Sequence, residues 1–126
     1  VINDELPVVD DEIPLPDWDV FEAEDLVDLD EAARERFRAI AIPQPARVAT
    51  DKQELGNPRR YDVPVTVICC EFTSDQIRDW ITAGNPFVAE LAAIADYELV
   101  DLPTGHWPQF TKPAELSRVI LAAVDR

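Results

Sequence analysis

The chain has 126 residues, 47% of them apolar, and a formal net charge of −15. That length and apolar fraction suffice for the core of one domain, and no apolar run is long enough to cross a membrane as a helix. So acidic a balance argues against a nucleic-acid partner, whose phosphates need a basic surface.

The acids are concentrated at the start: residues 1–31 hold 13 Asp and Glu and no Lys or Arg, whereas the remaining 95 residues are close to balanced, with 13 acids against 11 bases. Prolines at 7, 14 and 16 interrupt this acidic stretch. It reads as a solvated, partly irregular segment; the sharper alternative is a docking surface for a basic partner or for metal ions. Asp10, Asp11 and Glu12 lack the alternating spacing and glycine of a calcium loop. From Asp30 to Ile40 the apolar positions Leu29, Ala33, Phe37 and Ile40 recur at helical spacing, with Asp28 or Asp30 as the N-cap. Ile42-Pro43-Gln44-Pro45 ends that helix. Polar loop follows to Arg60, with a turn expected at Gly56-Asn57-Pro58.

Residues 61–126 alternate strand and helix. Residues 63–70 are β-branched and almost continuously apolar, the pattern of a parallel strand buried on both faces. Thr73 and Gln76 fit a capping box, and Ile77, Trp80 and Ile81 give the next helix its apolar stripe. Asn85-Pro86 caps and starts another helix, with Val88, Leu91, Ala92 and Ala95 facing inward. A second strand is expected over 97–102. Thr111 is the expected cap of a last helix, whose inward face is Leu116, Val119, Ile120, Ala123 and Val124. The result is β-α-β-α with a right-handed parallel connection. Two strands alone are marginal in water, so the apolar strand at 63–70 calls for neighbours that the chain does not supply.

Adjacent Cys69 and Cys70 cannot easily bridge each other on an extended strand, and no second pair makes a zinc or disulfide framework. They read as two small buried hydrophobes in a reducing cytoplasm. No secretory-type leader opens the chain.

The only histidine, His106, follows the second strand and sits behind Gly105, before the helix opened by Lys112-Pro113. A strand that ends in a Gly-His loop and then a helix places an imidazole at the carboxyl edge of a sheet, where open α/β folds carry their chemistry. Gly105, His106, Pro113 and Leu116 resemble the histidine loop of the α/β-hydrolase fold. Residues 61–68 resemble that fold's Val-Pro-Val strand, and Pro43-Gln44-Pro45 is similar to a Pro-Gln-Pro in lids of its esterase-like and hydroxynitrile-lyase-like group. The family's Gly-x-Ser-x-Gly nucleophile elbow is absent: the glycines are Gly56, Gly84 and Gly105, the serines Ser74 and Ser117, and no two glycines bracket a serine.

The resemblance therefore implies the C-terminal part of an α/β-hydrolase, with residues 1–60 as an acidic cap or lid and residues 61–126 as the last β-α-β-α of the core. The missing N-terminal hydrolase segment, carrying the serine, would be its partner. The implied activity is hydrolysis of an ester or similar acyl bond of a small-molecule substrate by a Ser-His-acid mechanism, with His106 as general base and no cofactor or metal. The acid is expected near Thr73: Asp75 is the first candidate and Glu71 the second. Asp75 has a plain structural reading as well, since an acid in the first turn of a helix meets the helix dipole favourably. The same fold also serves lyases, and a non-catalytic acidic interaction module is the remaining alternative.

Overall fold

A computed structural model describes residues 6–125. It is mixed α/β, with helices around a small two-stranded parallel sheet.

The acidic N-terminal stretch is not wholly irregular. Asp10 and Asp11 both adopt left-handed φ, 52° and 63°, as the two central residues of a tight turn. Val9 and Glu12 exchange backbone hydrogen bonds of 2.8 and 2.9 Å across it. Asp tolerates this conformation better than most residues, and a turn of this hand matches strand twist. The turn leads into β1 (Glu12–Ile13), which pairs antiparallel with β2 (Gln44–Pro45). Between them lies α1 (Glu31–Ile40), capped by Asp30, whose side chain accepts from the Ala33 N–H at 2.7 Å. The loop expected before Arg60 contains a short helix, α2 (Arg47–Thr50), that the sequence pattern did not indicate. The turn at Asn57-Pro58 opens a 3-10 segment, Pro58–Asp62.

The sheet consists of β3 (Val65–Cys69) and β4 (Tyr97–Asp101), parallel and in register from Val65 opposite Tyr97 to Cys69 opposite Asp101. Between them run α3 (Ser74–Thr82), a 3-10 turn at Pro86–Val88 and α4 (Ala89–Ala92). Thr73 and Gln76 form the reciprocal capping box, and the Asn85 side chain caps the following turn through the Phe87 N–H. Cys69, Ile77 and Val88 are the buried centre of this layer, with Val67, Trp80, Ile81, Leu91 and Leu99 packed around them. Beyond β4 come α5 (Pro108–Thr111) and α6 (Pro113–Val124).

Four expectations about burial and capping need correction. Val65–Cys69 is not buried on both faces: only Cys69 is buried, and the rest of β3 is half-buried. Among the described residues β3 and β4 each pair only with the other, so neighbouring strands do not cover them. Ala92 and Ala95 are exposed. Finally, α6 buries none of its residues. Leu116, Val119 and Ala123 are half-buried, while Ile120 and Val124 face solvent. The second face of the sheet and this helix are separated by a space of about 560 Å³ lined by Thr66, Glu98, Val100, Val119 and Ala123. Thr111 does not cap α6 but closes α5, its hydroxyl turned to the Trp107 carbonyl.

One polar contact ties the end of β4 to the start of α3. The Asp101 carboxylate accepts the Ser74 backbone N–H at 2.7 Å and the Ser74 hydroxyl at 2.8 Å. The backbone N–H, then the hydroxyl, favour the ionised form and hold Asp101 below its ordinary carboxylate pKa of 3.8. A depressed folded-state pKa contributes stability that is fully present above 3.8 and is lost as pH falls through the lower folded value. Carbon-13 titration of the Asp101 carboxyl should therefore give a midpoint below 3.8, and Ser74→Ala should move it upward. An unchanged midpoint in Ser74→Ala would remove this contact as the cause.

Candidate functional site

Parallel strands end side by side, and here their carboxyl ends are held together beyond the ladder: the Leu102 N–H donates to the Cys69 carbonyl at 2.8 Å, and Leu102 is buried. Two loops leave from this point. The one after β3 carries Glu71. The one after β4 carries Thr104, Gly105 and His106.

These loops bring His106 and Glu71 into contact. His106 Nδ1 lies 2.8 Å from Glu71 Oε1. The Glu71 side chain is 23% exposed and that of His106 57%, so one carboxylate oxygen is committed while much of the imidazole faces solvent. A carboxylate at Nδ1 favours the tautomer whose proton sits on Nδ1, which leaves Nε2 with a free lone pair. In that state Nε2 can accept a proton from a neighbouring hydroxyl. The Trp107 ring stands edge-on to the imidazole, 4.9 Å between centroids.

The N-terminal half builds the other side of this loop. The His106 backbone N–H donates to the Asp25 carbonyl at 2.9 Å, and the Gly105 N–H donates to Asp28 Oδ1 at 3.0 Å. Gly105 is required by this approach. A Cβ at that position would fall 2.3 Å from the Asp25 carbonyl oxygen and 2.9 Å from Asp28 Oδ1. Beyond His106, the rings of Trp107 and Phe110 join Trp18, Phe21 and Phe37 in a chain of contacts with centroids 4.5 to 6.0 Å apart. This cluster borders an apolar cleft of about 520 Å³ that reaches His106, with Ile13, Pro14, Phe21, Phe37 and Trp107 among its walls.

The other sequence-predicted residues lie in different settings. Asp75 is in the first turn of α3, where its exposed carboxylate pairs with Arg78 at 3.5 Å. Ser74 is buried with its hydroxyl on Asp101. Ser117 is exposed on α6. The Cys69 thiol is buried, and desolvation first, then the Asp101 charge, push its pKa above the ordinary 9.0, so it is held as the unreactive thiol. Cys70 is free and half-buried. Among the described residues no serine, threonine or cysteine side chain hydrogen-bonds the His106 ring. Asp25 was not singled out by the sequence pattern, and Asp28 only as a candidate cap for α1, a place that Asp30 takes. Asp25 and Asp28 stand 81 and 78 residues before His106, and no spacing rule links them to it.

Comparison with protein-family models, with curated proteins and with solved structures yields no match.

Gly105→Ala should disrupt the docking of the histidine loop. The obstructing atom is a backbone carbonyl, which cannot rotate away, so the substitution should cost about 1–3 kcal/mol, as overpacking does. Denaturant unfolding measures this, and a loss of amide-exchange protection at His106 should accompany it. Wild-type stability and protection in Gly105→Ala would show that the close approach is not maintained.

Proposed function

We propose that the chain is the C-terminal part of an α/β-hydrolase-fold enzyme. That enzyme would cleave an ester or similar acyl bond of a small-molecule substrate by a Ser-His-acid mechanism. The single observation that carries this reading is the 2.8 Å contact between His106 Nδ1 and Glu71 at the carboxyl ends of two parallel strands. The chain order of strand, acid loop, strand, Gly-His loop and helix supports it. So does the cleft beside the imidazole, which offers an apolar surface to an acyl or alcohol group. On this reading Glu71 is the orienting acid. Asp75, paired with Arg78, serves α3.

On this reading the mechanism runs as follows. With the Nδ1 proton directed at Glu71, His106 Nε2 takes the proton of a serine hydroxyl as that oxygen attacks the acyl carbon. It then returns the proton to the departing alcohol oxygen, and repeats both steps with water to release the acid. Glu71 keeps its charge throughout and stabilises the imidazolium. The serine and the oxyanion-binding N–H groups belong to a segment outside this chain, which would also pair with the free edges of β3 and β4. The N-terminal residues around α1 serve as the lid, a role that fits their aromatic contacts with Trp107 and Phe110. A lyase using the same histidine is the second reading, favoured by the same contact, and substrate profiling separates the two.

On its own the purified chain should not hydrolyse short p-nitrophenyl esters above a His106→Ala control. In a longer product that includes the serine segment, His106→Ala should abolish turnover. Glu71→Gln should lower kcat by about 10⁴, because the wrong tautomer is then favoured. Asp75→Asn should leave the rate nearly intact and change stability by about 1 kcal/mol or less. Near-wild-type turnover in His106→Ala would overturn the assignment, and an intact rate in Glu71→Gln with a lost rate in Asp75→Asn would exchange the acids.

The same reading predicts that the isolated chain associates. An unpaired apolar edge invites strand pairing with other copies. Size-exclusion chromatography and amide exchange check this. A compact monomer with strong protection from Val65 to Cys69 would withdraw the support that the open sheet gives.

A further inference from the structure

A second chemistry converges on the same loops. Asp25, Glu71 and His106 each offer one ligand atom, and these atoms all lie within 4.8 Å of one another. The three residues come from three separate places: the turn before α1, the loop after β3 and the loop after β4. Backbone contacts fix their relation, since the Asp25 carbonyl receives the His106 N–H. Among the described residues, no lysine or arginine forms an ion pair with Asp25, Asp28 or Glu71.

A second carboxylate in the same turn as Asp25 has an oxygen without a partner. Asp28 Oδ2 is buried and has no hydrogen-bond partner, although its other oxygen holds the Gly105 N–H next to His106. A buried carboxylate oxygen without a donor is costly. A cation near it reduces that cost.

We propose that Asp25, Glu71 and His106 form a binding site for a divalent transition-metal ion, with Zn²⁺ the favoured occupant. The donor set decides the class. One imidazole and two carboxylates suit Zn²⁺ better than Ca²⁺ or Mg²⁺, which take oxygen ligands almost exclusively. Zn²⁺ binds such nitrogen and oxygen donors at about 2.0–2.2 Å, which for a tetrahedral ion sets them roughly 3.4 Å apart. His106 Nδ1 and Glu71 stand 2.8 Å apart, and the three ligand atoms all fall within 4.8 Å of one another. Small side-chain rotations suffice, and a fourth position stays open to water. With His106 Nδ1 as its donor, the ion would stand between the imidazole and Glu71. Metal binding and the acid–base role are mutually exclusive on this geometry, and the ion would act as an inhibitor. The binding site does not depend on the hydrolase reading; only the inhibition rests on it.

The purified 126-residue chain, titrated with ZnCl₂ by calorimetry and with CoCl₂ by visible absorption, tests it. One ion per chain is expected. His106→Ala, Glu71→Gln and Asp25→Asn should each weaken binding by about tenfold or more, while the double variant Asp10→Asn, Asp11→Asn should bind as the wild type does. His106 is largely exposed, so its truncation spares the fold, and Glu71→Gln keeps the side-chain shape as a second check. No binding at sub-millimolar Zn²⁺, equal affinity in His106→Ala, or a comparable loss in the Asp10, Asp11 variant would each overturn the site. The result stands apart from ester hydrolysis, which is read on a different product with a different signal.

Discussion

The docking of the Gly105-His106 backbone onto the turn at residues 25–28 is the contact on which the rest of the site depends. Two N–H groups leave β4 with no strand partner, and a buried unpaired N–H is costly. A carbonyl and a carboxylate from the N-terminal half satisfy both. With that backbone fixed, the direction of the imidazole is limited, and Glu71, on a loop that starts from the adjacent strand end, meets it. The aromatic chain from Trp18 to Phe110 then closes over the same junction. Residues separated by most of the chain length therefore act as one structural unit around His106.

The body of the sheet shows what a two-stranded parallel sheet cannot do alone. Parallel sheets are ordinarily covered on both faces and extended on both sides. One face here has α3 and α4 against it. The other faces α6 across open space, and the helix leaves Leu121 and Val124 to solvent, 61% and 76% exposed. Apolar side chains at helical spacing are thus left outside, while the polar contacts around His106 are made.

Local signals were legible in the sequence because their physics is local. Asp30, Thr73 and Asn85 cap the elements they precede since each needs only the next two or three N–H groups. Both parallel strands follow from composition. The position of His106 at the sheet's carboxyl edge follows from strand, glycine and helix in series. The choice between Glu71 and Asp75 was not legible. Spacing places both in one loop region, and only the capping of α3, which turns Asp75 toward Arg78, separates them. The inward faces assigned to α6 and to Ala92 and Ala95 failed for another reason. An apolar stripe tells which side of a helix avoids water, and not whether the same chain provides a partner for it. Asp25 carries no pattern at all, and Asp28 only that of a helix cap, since their role here arises from a backbone approach that Gly105 permits.

The neighbouring thiols at the end of β3 differ in burial. Cys69 is buried and held protonated by desolvation, while Cys70, one residue on, is half-buried. Thiol chemistry proceeds through the thiolate, so an alkylating reagent would distinguish two sites joined by a single peptide bond. Cys69 and Cys70 both line one recess of about 340 Å³ with Phe72, Trp80 and Phe87. Their relative labelling rates thus form a built-in gauge of that recess. Whatever comes to lie against this side of the sheet would slow Cys70 toward the rate of its neighbour, and opening of the α3 layer would raise Cys69 toward the other.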